Sequence, residues 1–510
     1  MGSLEETLFS SGLPVAALME KVGQAMAAWL LERPQLLTEG VLVLVGPGHN
    51  GGDGLVVARE LHLAGISVQL WCPIPARKSL TEAHWRHVLW LGVQWLEQQP
   101  DPAMPQLWLD ALFGLGQTRP LPSDLVNLFR QRAALNDGRL ISLDVPSGLC
   151  SDTGEPLGGE AARAAVTLTV GLFKRGLALD QARLWVGSQV RIDVGLPRHV
   201  LRGLGASPLR RLPVSEACTV LVPALPTTAM KYQRGRCLVV AGSERFPGAA
   251  HLALQGAMAS GCGSVQAVLP ARVAQTLWQV IPEVIVESDA MPLERLDGVL
   301  FGPGLGVDPQ VWAHWSERLL RFEGLLVLDA DGLNGLAASA DGWRWLLKRQ
   351  GPTWLTPHGA EFARLFPHCC GSDQLNNAIA AARCSGCCVL HKSAHSVVAE
   401  PQGSGVVLVE TSPWAARTGL GDILAGFCTG WGAKTLAAKG EPDLESFAAA
   451  ACLHGYAAAE ARSSEASAVA ECLKINTEMC QKSHTKLFNK TLIIAAHHWP
   501  LAAGPNRTFF

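Results

Sequence analysis

VLVLVGPGHNGGDGLVVAREL, residues 41–61, runs from five apolar residues through a glycine-studded turn into a stretch of mixed polarity. An unbroken apolar run closed by glycine reads as a strand buried on both faces, and the apolar spacing that follows reads as a helix. The stretch therefore predicts a strand–turn–helix unit of a parallel sheet. Gly46, Gly48 and Gly51 meet the G-x-G-x-x-G spacing by which a helix N-terminus receives a pyrophosphate. The acidic residue that a dinucleotide site carries about twenty positions further on is absent, because the next strand, GISVQLWCP, offers only Gln69. The lysine of a P-loop is absent too. What the turn does carry is side-chain oxygen, on Asn50 and Asp53. Two readings stay open: a plain tight turn, or a loop that grips a cation, a polar ligand or a phosphate.

The same alternation repeats along the chain. VLVLVG, SVQLW, LWLDALFG, LISLDVP and AVTLTVG, with helical patterns between them, predict one parallel sheet covered by helices on both faces. CLVVAG, GSVQAVLP, LDGVLFGPG, LLVLDA, TWLTP and CVLHKS predict a second. The proline-rich segment SPLRRLPVSEACTVLVPALP separates them, so the expected fold class is α/β in two domains with the boundary within 205–230. A chain of 510 residues is too long for one core, which agrees.

With 42 basic against 44 acidic residues there is no electrostatic footprint for nucleic acid or an anionic membrane. No apolar run reaches the ~18 residues of a membrane span. The opening MGSLEETLFS lacks the basic flank and apolar core of a secretory signal. A small-molecule ligand and a cytoplasmic location are expected.

Fourteen cysteines are scattered, and cluster only in HCCGSDQLNNAIAAARCSGCCVLH, 368–391. Cys384 and Cys387 have C-x-x-C spacing, with His368, Cys369 and Cys370 upstream, the residue types of a zinc site. The intervening residues read as helix and CCVLH as a buried strand, so reduced, buried thiols are the favoured reading. Residues 470–510 lose the alanine-rich helical pattern and are expected to form a loosely ordered tail with no assigned role.

In open parallel sheets, ligands collect at the carboxyl ends of strands. Three such ends in the first half are polar: GPGHNGGDG, DALFGLGQTRP (110–120) and DVPSGLCSDTG (144–154). Asn50, Asp110 and Ser147 offer oxygens to a hard cation, and Asp144 an acid or base. For each aspartate alone, capping of a turn or helix competes with that reading. In this order and spacing, with LMEKVGQAMAAWL (18–30) before and LTVGLFKRGL (168–177) after, the motifs resemble the NAD(P)H-hydrate epimerase domain.

The resemblance implies a Rossmann-like three-layer fold over 1–210 and a potassium ion at Asn50, Asp110 and Ser147. It implies substrate contacts at His49, Asn50, Gly51, Gly52 and Asp53, at Gly114, Leu115, Gly116, Gln117, Thr118, Arg119 and Pro120, and at Asp144. Asp144 would move the proton at the hydrated ring carbon. His49 stands where that family carries asparagine, which predicts an affinity sensitive to pH near neutrality.

In the second half, TGLGDILAGF (418–427) sets glycines and Asp422 at the start of an apolar helix. Its free amides suit a phosphate, and Asp422 could take the proton of an attacking hydroxyl. A plain helix cap is the alternative. FGPGLG (301–306), LDADGLN (328–334), LTPHGAEFARL (355–365) and VLHKSAHSVV (389–398) again follow predicted strands. Together with RGRCLVVAGSERFPGAAHLALQGAMASG (234–261), they resemble the ADP- or ATP-dependent NAD(P)H-hydrate dehydratases, of ribokinase-like fold, over a domain spanning 225–465.

That resemblance implies the hydrated ring near Ala249, Gly304, His358 and Asp422, and the adenine nucleotide near Lys392, Ser393, Ala394, His395, Ser396 and Gly421. Asp422 would be the catalytic base and magnesium would neutralise the phosphates. The chain departs from the family's pattern in TPHGAE, in KSAHS and at Leu420. Both resemblances together point to a bifunctional repair enzyme for hydrated NADH and NADPH. It would use ADP, as fused chains imply, release AMP and phosphate, and form a homo-oligomer. A ribokinase-like small-molecule kinase with an accessory N-terminal domain and a non-catalytic nucleotide-binding protein are the competing readings.

Overall fold

The computed structural model describes residues 2–75, 77–203, 209–220, 230–371, 373–408, 412–462 and 465–482. These fall into two compact units that divide between Ala206 and Ser207. Half of the expected boundary segment, and the part of the expected tail from 483 on, lie outside the described residues.

In the first unit, β1 (Val41–Val45), β2 (Val68–Trp71), β3 (Gln94–Leu96), β4 (Leu107–Ala111), β5 (Leu140–Leu143), β6 (Val166–Val170) and β7 (Ser188–Ile192) form one parallel sheet. Its order is β3-β2-β1-β4-β5-β6-β7, the order of a Rossmann-like sheet with one further strand. Strand alternation builds the layers. Val41, Val43 and Val45 pack against helices Val15–Leu31 and His49–Leu63, whereas Leu42 and Leu44 pack against helix Ser123–Leu135 on the opposite face. The reversal in strand order falls between β1 and β4, so the ends of those strands open the crevice where a ligand belongs.

The second unit carries β8 (Leu209–Arg211), β9 (Arg236–Val240), β10 (Ser264–Val268), β11 (Ile285–Val286), β12 (Gly298–Phe301), β13 (Leu325–Leu328), β14 (Thr353–Leu355), β15 (Cys388–His391), β16 (Val397–Ala399) and β17 (Gly405–Val407). The sheet order is β11-β10-β9-β12-β13-β14-β15-β16-β17-β8. It is parallel through β15 and turns antiparallel at β16 and β17. One face buries Val239, Leu300, Val327 and Trp354 under the alanine-rich helices Pro247–Ala259, Leu420–Lys439 and Leu444–Ala461. On the other, Trp312 and Trp315 lean edge-on or tilted against Phe301.

Sequence reading located the long apolar strands and missed β3, β7, β8, β11, β16 and β17, which are short, polar or at sheet edges. Two placements differ from expectation. β8, counted with the first domain, pairs with β17 in the second sheet. Residues 470–482 are not a loose tail: they continue helix Ala466–Lys482, because Val469, Ala470 and Leu473 recur at helical spacing and are buried in the second core. Among the described residues no helix is long and apolar enough to cross a membrane.

Two candidate active sites

The opening turn is shaped by contact. A Cβ on Gly46 would stand 1.7 Å from the Leu112 carbonyl oxygen, and one on Gly51 would stand 2.0 Å from that of Gly46, so the turn after β1 lies hard against the end of β4. Thr81 Oγ1 fixes the same turn by donating to the Gly48 carbonyl at 2.9 Å. Gly48 itself faces open space.

That space is a cavity of about 380 Å³ lined by His49, Asn50, Asp53, Gly114, Leu115, Gly116, Gln117 and Asp144 among others. Eight of the expected substrate contacts therefore converge. Gly51 and Gly52 face Gly46 and Met19 instead, and the exposed Thr118, Arg119 and Pro120 are not among the lining residues.

Asn50 and Asp144 are neighbours: a Cβ on Gly114 would lie 3.3 Å from both. The Asn50 amide is buried, and neither its oxygen nor its nitrogen has a protein partner. Beneath, Asp110 is fully buried and accepts from Leu112 N, Ser142 Oγ, Ser147 N and Ser147 Oγ at 3.3, 2.9, 2.9 and 2.6 Å. Burial raises its carboxyl even though those four donors oppose the rise.

Asp144 adopts φ 67°, a left-handed conformation held by its own amide on Leu168 O. Its carboxylate accepts from Val170 N at 3.1 Å, from Leu115 N at 3.2 Å and from Lys174 Nζ. Lys174, itself buried, also donates to Thr169 Oγ1 and the Val170 carbonyl, both at 2.9 Å.

Two carboxyls face this pair. Burial, then the charges of Asp144 and Glu5, push Asp53 well above the usual carboxylate range. Burial and then Asp144 raise Glu5, against Lys174 and the chain N-terminus. Burial and the Lys78 charge lower His49, which favours the neutral imidazole, a ring with one donor and one acceptor as an asparagine side chain has. Lys174 and Glu5 were missed. Lys174 sits inside a motif quoted above, whereas Glu5 lies in helix Gly2–Ser10, with no local signal.

In the second unit, the ends of β13, β14 and β15 meet the start of helix Leu420–Lys439. Lys392 Nζ binds the buried Asp329 carboxylate at 2.7 Å and lies 3.7 Å from where a Gly421 Cβ would stand. Burial opposes the charge on Lys392, yet Asp329 and Glu361 hold its pKa above the usual value. Ala330, between Asp329 and Asp331, takes φ 47°, a costly conformation for a residue with a Cβ.

Burial, with Asp329 adding and Lys392 opposing, pushes Asp422 up to about 7; Asp331 adds the last increment. His358 caps helix Gly359–Leu365, accepting on Nδ1 from Ala360 N at 3.2 Å, and its Nε2 lies 3.2 Å from the Glu361 carboxylate. The backbone at His358 pairs in parallel with that at Lys392, whose amide donates to Pro357 O at 2.8 Å. A Cβ on Gly304, at φ 64°, would stand 2.7 Å from that of Ala249, so these two expected ring contacts touch each other.

The turn Ser393–Ser396 joins β15 to β16; Ser393 N donates to Ser396 Oγ at 3.2 Å, Ser393 is exposed and His395 buried. Asp329, Asp331 and Glu361 belong to this cluster and were missed, although LDADGLN and TPHGAE contain them. Their spacing alone does not reveal that three strand ends meet.

The comparisons with known proteins agree with both halves. A family model described as YjeF-related protein N-terminus matches residues 15–176, and one described as NAD(P)H-hydrate dehydratase matches 237–479. The chain is 43% identical over 441 residues to the bifunctional NAD(P)H-hydrate repair enzyme Nnr of Gloeobacter violaceus, covering 83% of this chain and 85% of that one. It is 38% identical over 449 residues to the enzyme of the same name in Synechocystis, covering 84% of each. Among solved structures it is similar to the ADP/ATP-dependent NAD(P)H-hydrate dehydratase of Bacillus subtilis, 24% identical with a TM-score of 0.46, over 54% of this chain and 100% of that one. At this identity over this share of its length, the chain belongs to the family of bifunctional NAD(P)H-hydrate repair enzymes.

Proposed function

We propose that the first unit interconverts the R and S hydrates of NADH and NADPH, and that the second returns the S hydrate to the reduced coenzyme at the expense of ADP. The observation that carries this reading is Asp422, a half-buried carboxyl raised to about 7 at a helix N-terminus beside Lys392. A base tuned near working pH is what an attacking hydroxyl requires.

Asp422 takes the proton of the ring hydroxyl as its oxygen attacks the terminal phosphorus, and the bond to the departing AMP breaks. The carbon–oxygen bond then breaks, phosphate leaves, and a proton lost from the adjacent ring carbon restores the double bond. Lys392 and the first amides of helix Leu420–Lys439 stabilise the phosphoryl oxygens. Magnesium supplies further charge neutralisation when bound with the nucleotide, and the carboxylates of Asp329 and Asp331 suit its preference for oxygen.

In the first unit the ring hydroxyl leaves as water and returns on the opposite face, which needs one group to give a proton and one to take it. Asp53, raised by its neighbours, suits the donor, and Asp144, held by Lys174, suits the acceptor. The partnerless Asn50 amide and the Asp110–Ser147 cluster fit a potassium ion, because a buried carboxylate balanced only by hydrogen bonds is stabilised by a cation. Potassium there supplies an anchor for the coenzyme phosphates. The protein acts in the cytoplasm as a homo-oligomer.

The test mixes R and S hydrated NADH with the protein, ADP, magnesium and potassium and follows recovery of reduced-nicotinamide absorbance. Full recovery supports both activities and half recovery only the second. No recovery overturns the reading, and a stable phosphorylated product would favour the kinase.

A further inference from the structure

The cysteine cluster of the second unit takes no part in either reaction, and its tertiary arrangement differs from its sequence spacing. Cys387, the second cysteine of the C-x-x-C pair, turns inward: its thiol donates to Ser385 O at 3.4 Å, and the Arg349 guanidinium lies near it. Its place beside Cys384 is taken by Cys369, from the turn Pro367–Cys369, with His368 next to it. The Nδ1 or Nε2 of His368 and the Sγ atoms of Cys369 and Cys384 all lie within 4.8 Å of one another. A tetrahedral zinc with bonds of about 2.3 Å to sulfur and about 2.0 Å to nitrogen sets its ligand atoms roughly 3.4–3.8 Å apart. Rotation of the exposed His368 and half-buried Cys384 side chains can close that difference.

We propose that His368, Cys369 and Cys384 form a binding site for a thiophilic cation, Zn2+, that ties the turn Pro367–Cys369 to the last turn of helix Gln374–Ser385. The two thiols face the protein side, with Cys369 buried and Cys384 half-buried, while His368 approaches from the surface, its ring 5.4 Å from that of Trp343. Two sulfur ligands and one imidazole select zinc over magnesium or potassium, which prefer oxygen, so this site does not compete with those proposed for the reactions. The cluster follows helix Gly359–Leu365, which His358 caps and whose first turn holds Glu361, and a metal here would brace that helix at its far end.

Co2+ serves as the spectroscopic probe. The full-length reduced protein, stripped with a chelator and titrated anaerobically, is expected to bind one equivalent. Binding should give a thiolate-to-cobalt charge-transfer band and the strong visible bands of tetrahedral coordination, both abolished by one equivalent of Zn2+. Cys369→Ser and Cys384→Ser should each lose about half the charge-transfer intensity and weaken binding by at least about tenfold. His368→Gln, at an exposed position where folding is not at risk, should weaken it similarly and shift the visible bands. Cys387→Ala should leave the spectrum unchanged. The absence of a tetrahedral spectrum at one equivalent overturns the proposal. So does a spectrum unaltered by both Cys369→Ser and His368→Gln, or one lost in Cys387→Ala while Cys369→Ser is silent.

Discussion

In the proposed reading, Asp422 and Lys174 set the behaviour of the two sites, with Asp422 as the base of the dehydration. Asp422 is a base only when ionised, so dehydration should rise with pH through about 7 and level off above it, and Asp422→Asn should lower kcat by about 10²–10⁴-fold. Because folding raises this carboxyl, the fold favours its protonated form. That contribution is complete below the unfolded pKa of about 3.9 and is lost as pH rises through about 7. Asp422→Asn should therefore raise the melting temperature at pH 8 and leave it unchanged near pH 3.5, as calorimetry at the two pH values can check. Lys174→Met leaves Asp144 buried without its cation. It should abolish epimerisation and destabilise the first unit by about 3 kcal/mol in urea unfolding. Adding Asp144→Asn should restore most of the stability and none of the activity.

The turn after β1 separates packing from binding within one glycine motif. Gly46→Ala drives a methyl into the Leu112 carbonyl and should cost at least about 2 kcal/mol. Gly48→Ala, in open space at φ −93°, should change stability by less than about 0.5 kcal/mol yet raise the KM for epimerisation, because its methyl enters the cavity. Thermal melts beside steady-state kinetics of the two variants distinguish these outcomes. The motif was legible in sequence as strand, turn and helix, and Gly46 and Gly51 are explained by close approach of backbone. Short elements such as β8 and β16 were not legible, because three-residue strands carry too little periodicity and are stabilised by the neighbours they pair with.

For the whole molecule, the proposed reading assigns one reaction to each unit. With an R and S mixture, Asp144→Asn should stop at half recovery of absorbance. Asp422→Asn should recover none, yet still bring a pure S hydrate to an R and S mixture, visible by chromatography. A variant that loses both activities from either single change would argue against this division. The helix Ala466–Lys482 belongs to the second unit's core, so Leu473→Asp should destabilise that unit while sparing epimerisation.

By itself the sequence determined the two α/β units and the strand ends where chemistry gathers, since apolar runs, glycine turns and acidic residues after strands are local patterns. Asn50 and Asp144, which line one cavity, and His358 and Asp422 were singled out as candidates for that reason. Only the tertiary structure brought Lys174 to Asp144, Asp329 to Lys392 and Cys369 to Cys384. Each pairing joins residues far enough apart in the chain that no periodicity links them, and their energetics depend on burial, which exists only once the strands are side by side.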